Sequence, residues 1–332
     1  MKNKTLKIIA LYLLCIYIIT VIIPFLYIQF FSEATQVSVE VHSPAVTQTS
    51  AVSATVTSGY FRLYDNTTAE ITEVSYRDFL IGSLAYEMSP SVPVEALKAQ
   101  TIATYSYYLY MQQQNYSYDV LWDSITNYNY YTDEYLLELW GDDYEKNLAV
   151  LENAVDSVFG LTLTYEDSVA CSAYFAVSNG QTQSAENVFG EELEYLTSVA
   201  SPYDLLCSTY ISCYSFTAEE IEEILTNAWQ NANLDFSMDL ENWFTDISFT
   251  TSETVRTITV CGYGVVGSEL STVLSLPSTT YSVEYLNGEF IFTCSGQGNG
   301  LGMSQNSAIY MANEGATYNE ILMWYYPGTL IS

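Results

Sequence analysis

IGSLAYEMSPSVPVEALKAQTIATYSYYLYM, Ile81 to Met111, decides how the chain is read. It predicts one helix ending at Met88, a short bend holding Pro90 and Pro93, and a second helix running to about Gln114. The first helix has a start signal, Ser75 as N-cap with Asp78 three residues on. Leu80, Leu84 and Glu87 fall at i, i+4 and i+7, so one stripe ends in a carboxylate. In the second helix Val94, Leu97 and Tyr108 share a face. Ala96, Ala99 and Ala103 give a neighbouring face with little bulk, suited to close packing. Glu87 thus sits at a helix C-terminus beside apolar neighbours. The negative end of the helix dipole and desolvation both disfavour its ionised form. A carboxyl group kept protonated near neutral pH is what general acid catalysis needs. A solvated glutamate at a fraying helix end would show the same periodicity.

Composition narrows the function classes. The chain has 332 residues, 39 of them acidic and 8 basic, for a net charge of −31. Such a surface repels phosphate backbones, which argues against nucleic acid as a partner. Of six cysteines, Cys15 lies in an N-terminal apolar run, leaving Cys171, Cys207, Cys213, Cys261 and Cys294. An odd number leaves one thiol unpaired in a monomer. Cys207 and Cys213 are close enough for a small loop bridge, and Cys261 with Cys294 could join two strands. No CxxC pair exists, which argues against a redox or zinc-ribbon site. The single histidine, His42, lies in a polar stretch, so a His-dependent serine hydrolase triad is excluded.

Ile8 to Phe31 is an uncharged run long enough to cross a bilayer. Lys2, Lys4 and Lys7 precede it and acidic residues follow, which puts the N-terminus in the cytoplasm and the rest outside. A cleaved signal peptide is the competing reading. The run is too long for a usual signal core and lacks a clear small-x-small site, which favours a retained anchor. The expected organisation is a cytoplasmic tail over 1–7, an anchor over 8–31, a Ser/Thr/Val/Ala linker over 32–58 and an extracytoplasmic domain over 59–332.

Within that domain, Tyr60–Tyr64 and Glu70–Val74 flank a hairpin signal. Thr132 can cap a short helix to Trp140. Tyr144, Leu148, Leu151, Val155 and Val158 step by 4, 3, 4, 3 along a longer helix closed by Gly160. Leu161–Tyr165 and Val169–Val177 read as strands. Thr217 with Glu220, and Thr317 with Glu320, announce two capped helices. Strand-like runs fall at Asp246–Thr250, Arg256–Val260, Thr280–Tyr285 and Glu289–Thr293, the last two joined by the turn signal Leu286-Asn287-Gly288. Helices gather in the first half and strands in the second. The expected class is α+β, a helical catalytic part packed with an antiparallel β-rich part behind the N-terminal transmembrane helix.

Two loops have the composition of a binding surface. SNGQTQSAENVFGEELEYLTSVASPYD, Ser178 to Asp204, offers small and hydroxyl residues after a strand end. Thr182, Ser184 and Glu186 are the groups it could present, Glu186 being a potential second acid; an ordinary hydrogen-bonded turn would look the same. Asp204, after Pro202, reads as a cap of local backbone. GQGNGLGMSQNSAIYMANEGATYNEILMWYYPGTLI, Gly296 to Ile331, packs glycines before Ser304, a helix N-cap. The exposed backbone N–H groups there could bind a carboxylate or an N-acetyl oxygen. A dinucleotide loop is rejected, since no βαβ unit surrounds these glycines.

These segments carry a resemblance. EMSPSVPVEALKAQTIATYSY is similar to the signature helix of the SpoIID/LytB family, in which E-M-P precedes E-A-L-K-A-Q-A-x-A-A-R-T. The Ser178–Asp204 stretch resembles the family's S-G-G-x-T-x-S-A-E-x-V-W-G segment, and LSTVLSLPSTTYSVEY resembles a weaker one. The closing stretch resembles G-x-G-H-G-V-G-M-S-Q…Y-Y-x-G-T at full length. The likeness spans most of the chain from about Tyr60 onward. It implies a membrane-anchored lytic transglycosylase of peptidoglycan, with Glu87 as the catalytic acid and no cofactor. Thr182, Ser184, Glu186, Gly298, Asn299, Gly300, Gly302, Ser304 and Gln305 would position the sugar. The implied partners are peptide-stripped glycan strands, a cell-wall amidase and a membrane scaffold protein. Two departures stand out. Many members carry Cys and His metal ligands where this chain has Leu121, Thr126 and Asn127, none a good zinc ligand. The usual His is replaced by Asn299, an amide that can still hydrogen-bond. A glycan-binding protein or amidase enhancer that does not cut is therefore the alternative, and a Tyr-rich adhesin a third.

Overall fold

The computed structural model describes residues 59–65, 70–114, 120–122 and 130–332. The expected anchor at 8–31, the linker at 32–58 and the positions Thr126 and Asn127 lie outside them. Among the described residues no helix is long and apolar enough to cross a membrane.

The chain opens with β1 (Tyr60–Asp65) and β2 (Glu70–Ser75), paired antiparallel with Tyr60 opposite Ser75. Then comes α1 (Tyr76–Glu87), whose N-cap Ser75 accepts from the Asp78 N–H, as its sequence predicts. The next helix is α2 (Val94–Gln114). A short β3 (Val120–Trp122) adds parallel to β1. Helices α3 (Asp133–Trp140) and α4 (Tyr144–Val158) follow. Then come the short strands β4 (Leu163–Tyr165), β5 (Ser168–Val169) and β6 (Tyr174–Phe175) and the single-turn helix α5 (Ala185–Phe189).

The second half is richer in strands. It contains β7 (Ile211–Phe216), α6 (Ala218–Ala228), β8 (Phe244–Phe249), β9 (Val255–Val260), β10 (Tyr263–Val266), α7 (Gly267–Val273), β11 (Tyr281–Leu286) and β12 (Glu289–Ser295). The chain closes with β13 (Met303–Ser304), α8 (Gln305–Asn313), α9 (Tyr318–Tyr325) and β14 (Leu330–Ile331). Two antiparallel sheets of order β10-β9-β8 and β11-β12-β7 sit in this half. The class is mixed α and β with antiparallel sheets, from which the short parallel strand pairs β1–β3 and β13–β6 depart.

Helix α2 is the axis of the packing. Ala96, Leu97, Ala99, Ile102 and Ala103 are wholly buried. Its small residues let neighbours approach on every side, so one apolar cluster forms with β1, α1 and α4 and a second with α8 and α9. Val94, placed by periodicity on the Leu97 face, is instead exposed, because it is the helix's first residue. A third cluster joins α6 and α7 to the strands β8 to β12. The β11–β12 turn forms where predicted, with Asn287 and Gly288 both at positive φ and Leu286 opposite Glu289.

The anticipated disulfides are absent, since all five described cysteines are free. Cys213 lies in β7 opposite Thr293, with its Sγ 3.8 Å from that residue's Oγ1. Cys207 turns to Thr209 instead. Cys261 sits in the β9–β10 turn and Cys294 in β12. Burial pushes their thiols up to about 12 and about 11, which makes them unreactive.

The glycine segment before α8 is used for close approach. Gly302 has φ +80°, and a Cβ there would lie 1.8 Å from the Ala173 carbonyl oxygen. That contact lets β13 pair with β6. Gly302→Ala is expected to cost about 2–3 kcal/mol through strain and overpacking. Thermal denaturation should show a melting temperature several degrees lower; an unchanged value would mean the two strands can separate freely.

Candidate active-site cleft

Glu87 is the last residue of α1, and the helix stops because Met88 turns to an extended conformation after its N–H reaches the Leu84 carbonyl. The Glu87 side chain is half-buried and opens into a cleft of about 360 Å³. Tyr174, Phe175 and Ala176 supply one wall of that cleft, and Gln297, Gly298, Asn299 and Gln305 another. Three stretches far apart in sequence, around 87, 174–176 and 297–305, therefore meet at one carboxylate.

The carboxylate is held by an amide. Gln305 Nε2 donates to Glu87 Oε2 at 2.6 Å, across 218 positions of sequence. Gln305 is the first residue of α8, behind the N-cap Ser304, so the cap fixes where the amide points. The same Nε2 lies 3.5 Å from the Gln100 Oε1. Gln100 in turn donates to Thr104 Oγ1 at 3.1 Å, and Thr104 hydrogen-bonds the Tyr174 phenol. Gln100 and Thr104 are buried one turn apart on α2. Burial first, and then the negative charge of Glu87, hold the Tyr174 phenol well above its usual range. Tyr174 is therefore a neutral hydroxyl beside the carboxylate.

Among the described residues, Glu87 is the only carboxylate lining the cleft. Gly298, Asn299 and Gln305 join it there. The Asn299 side chain is spent on its own loop, its Oδ1 accepting from the Leu301 N–H at 3.0 Å. Gly300 lies one position on, packed against Gln183 with φ +78°.

The remaining residues singled out from the sequence are not brought to the cleft. Thr182 is fully buried and accepts from the Val199 N–H, bracing its loop. Ser184 caps α5 by accepting from the Asn187 N–H, and Glu186 is exposed on the first turn of that helix. Neither lines the cleft, so Glu186 is not placed as a second acid. Gly302 and Ser304 are buried just ahead of Gln305, Ser304 as the N-cap of its helix.

Asp204 is the residue whose importance the sequence understates. Fully buried, it caps far more than local backbone. Its Oδ2 accepts from the Ser178 N–H, the Ser178 hydroxyl and the Ser201 hydroxyl. Its Oδ1 accepts from Ser304, Asn306 and Ser307. One carboxylate therefore ties the end of the β6 wall to the start of α8, the two sides that flank Glu87. Among the described residues, no group of three or more His, Cys, Asp or Glu is gathered as metal ligands.

Comparison with known proteins finds several similar chains. The stage II sporulation protein (SpoIID) family model matches residues 64–165. Stage II sporulation protein D of Bacillus subtilis (strain 168) is 30% identical over 279 residues, covering 81% of this chain and 78% of that protein. An uncharacterised protein of Brachyspira hyodysenteriae is 31% identical over 277 residues, covering 80% of this chain and 68% of its own length. A Bacillus subtilis protein named amidase enhancer is 22% identical over 299 residues, with 76% of this chain and 40% of the relative covered. The identity to the first of these relatives, 30% over about four-fifths of this chain and of that protein, shows that the chain belongs to the stage II sporulation protein D family.

Proposed function

We propose that the protein is a lytic transglycosylase of peptidoglycan, anchored in the cell membrane by Ile8–Phe31 and acting outside it during sporulation. The observation that carries the reading is the carboxyl group of Glu87, the one carboxyl group lining an open cleft among the described residues, held by Gln305 and faced by neutral hydroxyl and amide groups. Hydrolysis by the usual routes needs two carboxylates at a set separation. An intramolecular transglycosylation needs one. The protonated Glu87 gives its hydrogen to the glycosidic oxygen between N-acetylmuramic acid and N-acetylglucosamine, and that C1–O bond breaks. The C6 hydroxyl of the same muramic acid ring then attacks C1 and returns its proton to Glu87. The products are a free 4-hydroxyl and a 1,6-anhydro end; no water is consumed and the enzyme is unchanged.

The cleft residues divide this work. Gln305 fixes the carboxyl group, because its amide sits at the start of a capped helix and leans on buried Gln100. Tyr174 offers a phenol that keeps its proton beside the reacting carboxyl. Holding the sugar's own hydroxyl near the anomeric carbon replaces a bimolecular attack and can supply several powers of ten in rate. Gln305→Ala is expected to lower turnover about tenfold, because Glu87 then samples other rotamers. The measurement is the initial rate on purified strands, with the circular dichroism spectrum unchanged; a wild-type rate would remove Gln305 from the site.

The testing experiment is digestion of peptide-stripped glycan by the full chain in detergent, followed by mass spectrometry. Fragments with 1,6-anhydro ends are expected. Reducing ends instead would indicate hydrolysis. The similarity to a protein named amidase enhancer motivates a second reading, a glycan binder that assists an amidase. That reading predicts no cleavage by the chain alone and faster peptide removal when an amidase is added.

A further inference from the structure

Helix α1 carries two adjoining faces at its C-terminal end. One holds Leu80, Leu84 and Glu87. The other holds Phe79, Gly82 and Tyr86, and the 130–131 segment lies directly on it. The Tyr131 N–H donates to the Gly82 carbonyl at 3.1 Å. A Cβ on Gly82 would stand 2.3 Å from the Tyr131 carbonyl oxygen, so only glycine permits this approach. Phe79 and Tyr130 stack beneath, with centroids 5.6 Å apart and planes 7° apart.

The result above that contact is a row of rings. Tyr86 and Tyr131 have centroids 5.0 Å apart. Tyr131 and Tyr135 stack at 4.5 Å and 29°. Tyr86 and Tyr135 are 44% and 46% exposed. Contiguous aromatic surface left open to water is a cost to a soluble domain unless something covers it. The row begins at Tyr86, next to Glu87 in the chain but on the adjoining face of α1, and none of its rings lines the cleft itself; a strand leaving the cleft around the end of α1 would reach it.

We infer that Tyr86, Tyr131 and Tyr135 form a stacking track for the N-acetylhexosamine rings of a glycan strand that extends out of the Glu87 cleft. This rests on the cleft holding glycan. The apolar face of a pyranose, lined by C–H groups, covers an aromatic ring, while the phenolic hydroxyls at the ring edge meet the sugar hydroxyls. Asp133 and Glu134 stand beside Tyr135, so no charge attraction holds the strand there: the sugar faces supply the contact, and the lactyl carboxylates of peptide-stripped muramic acid units point away from these two residues. A repeating strand also matches a repeating row of rings better than a compact ligand does.

The test uses full-length Glu87→Gln protein in detergent, which keeps a cleft but cannot turn over. Its affinities for hexa-N-acetylchitohexaose and for di-N-acetylchitobiose are measured by calorimetry. Adding Tyr86→Ala or Tyr135→Ala is expected to weaken hexamer binding about tenfold, the scale of losing one aromatic stacking partner, and to leave dimer binding unchanged. Tyr135→Phe, which keeps the ring, should bind the hexamer nearly as the parent does. Equal hexamer affinity in parent and alanine variants overturns the track alone. Absence of hexamer binding by the parent overturns the cleft reading, and the track with it.

Discussion

Glu87→Gln should abolish anhydro-product formation to within a ten-thousandth to a hundredth of the wild-type rate, the usual contribution of a positioned general acid. The substitution is nearly isosteric. Its carbonyl oxygen can still accept from Gln305 Nε2, so the contact between α1 and α8 survives. What it loses is the transferable proton, and with it both halves of the cycle: protonation of the leaving oxygen and acceptance of the C6 hydroxyl proton. A glutamine also removes the charge that Tyr174 feels, leaving the phenol free to stay where it is. Glycan affinity is therefore expected to hold within about twofold while turnover collapses, a split that a folding defect cannot produce. The check is the yield of anhydro ends over time, beside calorimetric binding of the same strands. Retention of more than a tenth of the wild-type rate would mean that another group delivers the proton, and the single-acid reading would fall.

What could be read from the sequence was local. Ser75 with Asp78, Thr217 with Glu220 and Thr317 with Glu320 cap helices, because both partners of each bond lie within one turn. Asn287-Gly288 makes its turn for the same reason. The α4 stripe is buried at Leu151, Val155 and Val158 since periodicity alone decides which face meets the core. Strand β7 and helix α7 leave little signal in the sequence: β7 alternates in burial but exposes Ile211 and partly buries Ser212, so hydropathy does not follow its pleat, and α7 has no side-chain cap.

The site was legible only where a single side chain carries it. Glu87 announced itself as a carboxylate at a helix end. Its partner Gln305 reads from the sequence only as a polar residue after a helix cap, because their hydrogen bond depends on how α1 and α8 pack around α2. Gln100 and Thr104 gave a signal that could have been used, a polar pair one turn apart in an alanine-rich helix. Thr182 and Ser304 show the opposite failure. A hydroxyl in a glycine-rich loop looks available, yet both are turned inward, Thr182 to the Val199 N–H and Ser304 to Asp204. Sequence gives the donor and leaves its direction open.

Asp204→Ala is expected to be the most destabilising single substitution proposed for this domain, at roughly 3–5 kcal/mol. The carboxylate takes six hydrogen bonds, three on each oxygen, with no exposure to water. Alanine leaves those donors facing a cavity, and each buried donor without a partner costs about 1–3 kcal/mol. Part of that is recovered, because the Ser304 hydroxyl can turn to the Ala176 carbonyl and Ser201 already contacts the Tyr325 hydroxyl. Asp204→Asn should fare little better. Its amide presents two more donors where three donors already converge, so one side of the network is repelled rather than satisfied. Both variants should lower the denaturation midpoint in urea without altering the slope, since the exposed area on unfolding is the same. The effect reaches the cleft as well. Ser178 follows the Tyr174 wall and Ser304 precedes Gln305, so loosening Asp204 frees both sides that hold Glu87. Turnover measured well below the unfolding transition should then fall together with the Gln305–Glu87 contact, unlike a surface substitution of equal cost. A midpoint within the equivalent of about 1 kcal/mol of wild type would show that the six bonds are exchanged for water at little cost, and that the two walls are held together by apolar packing alone.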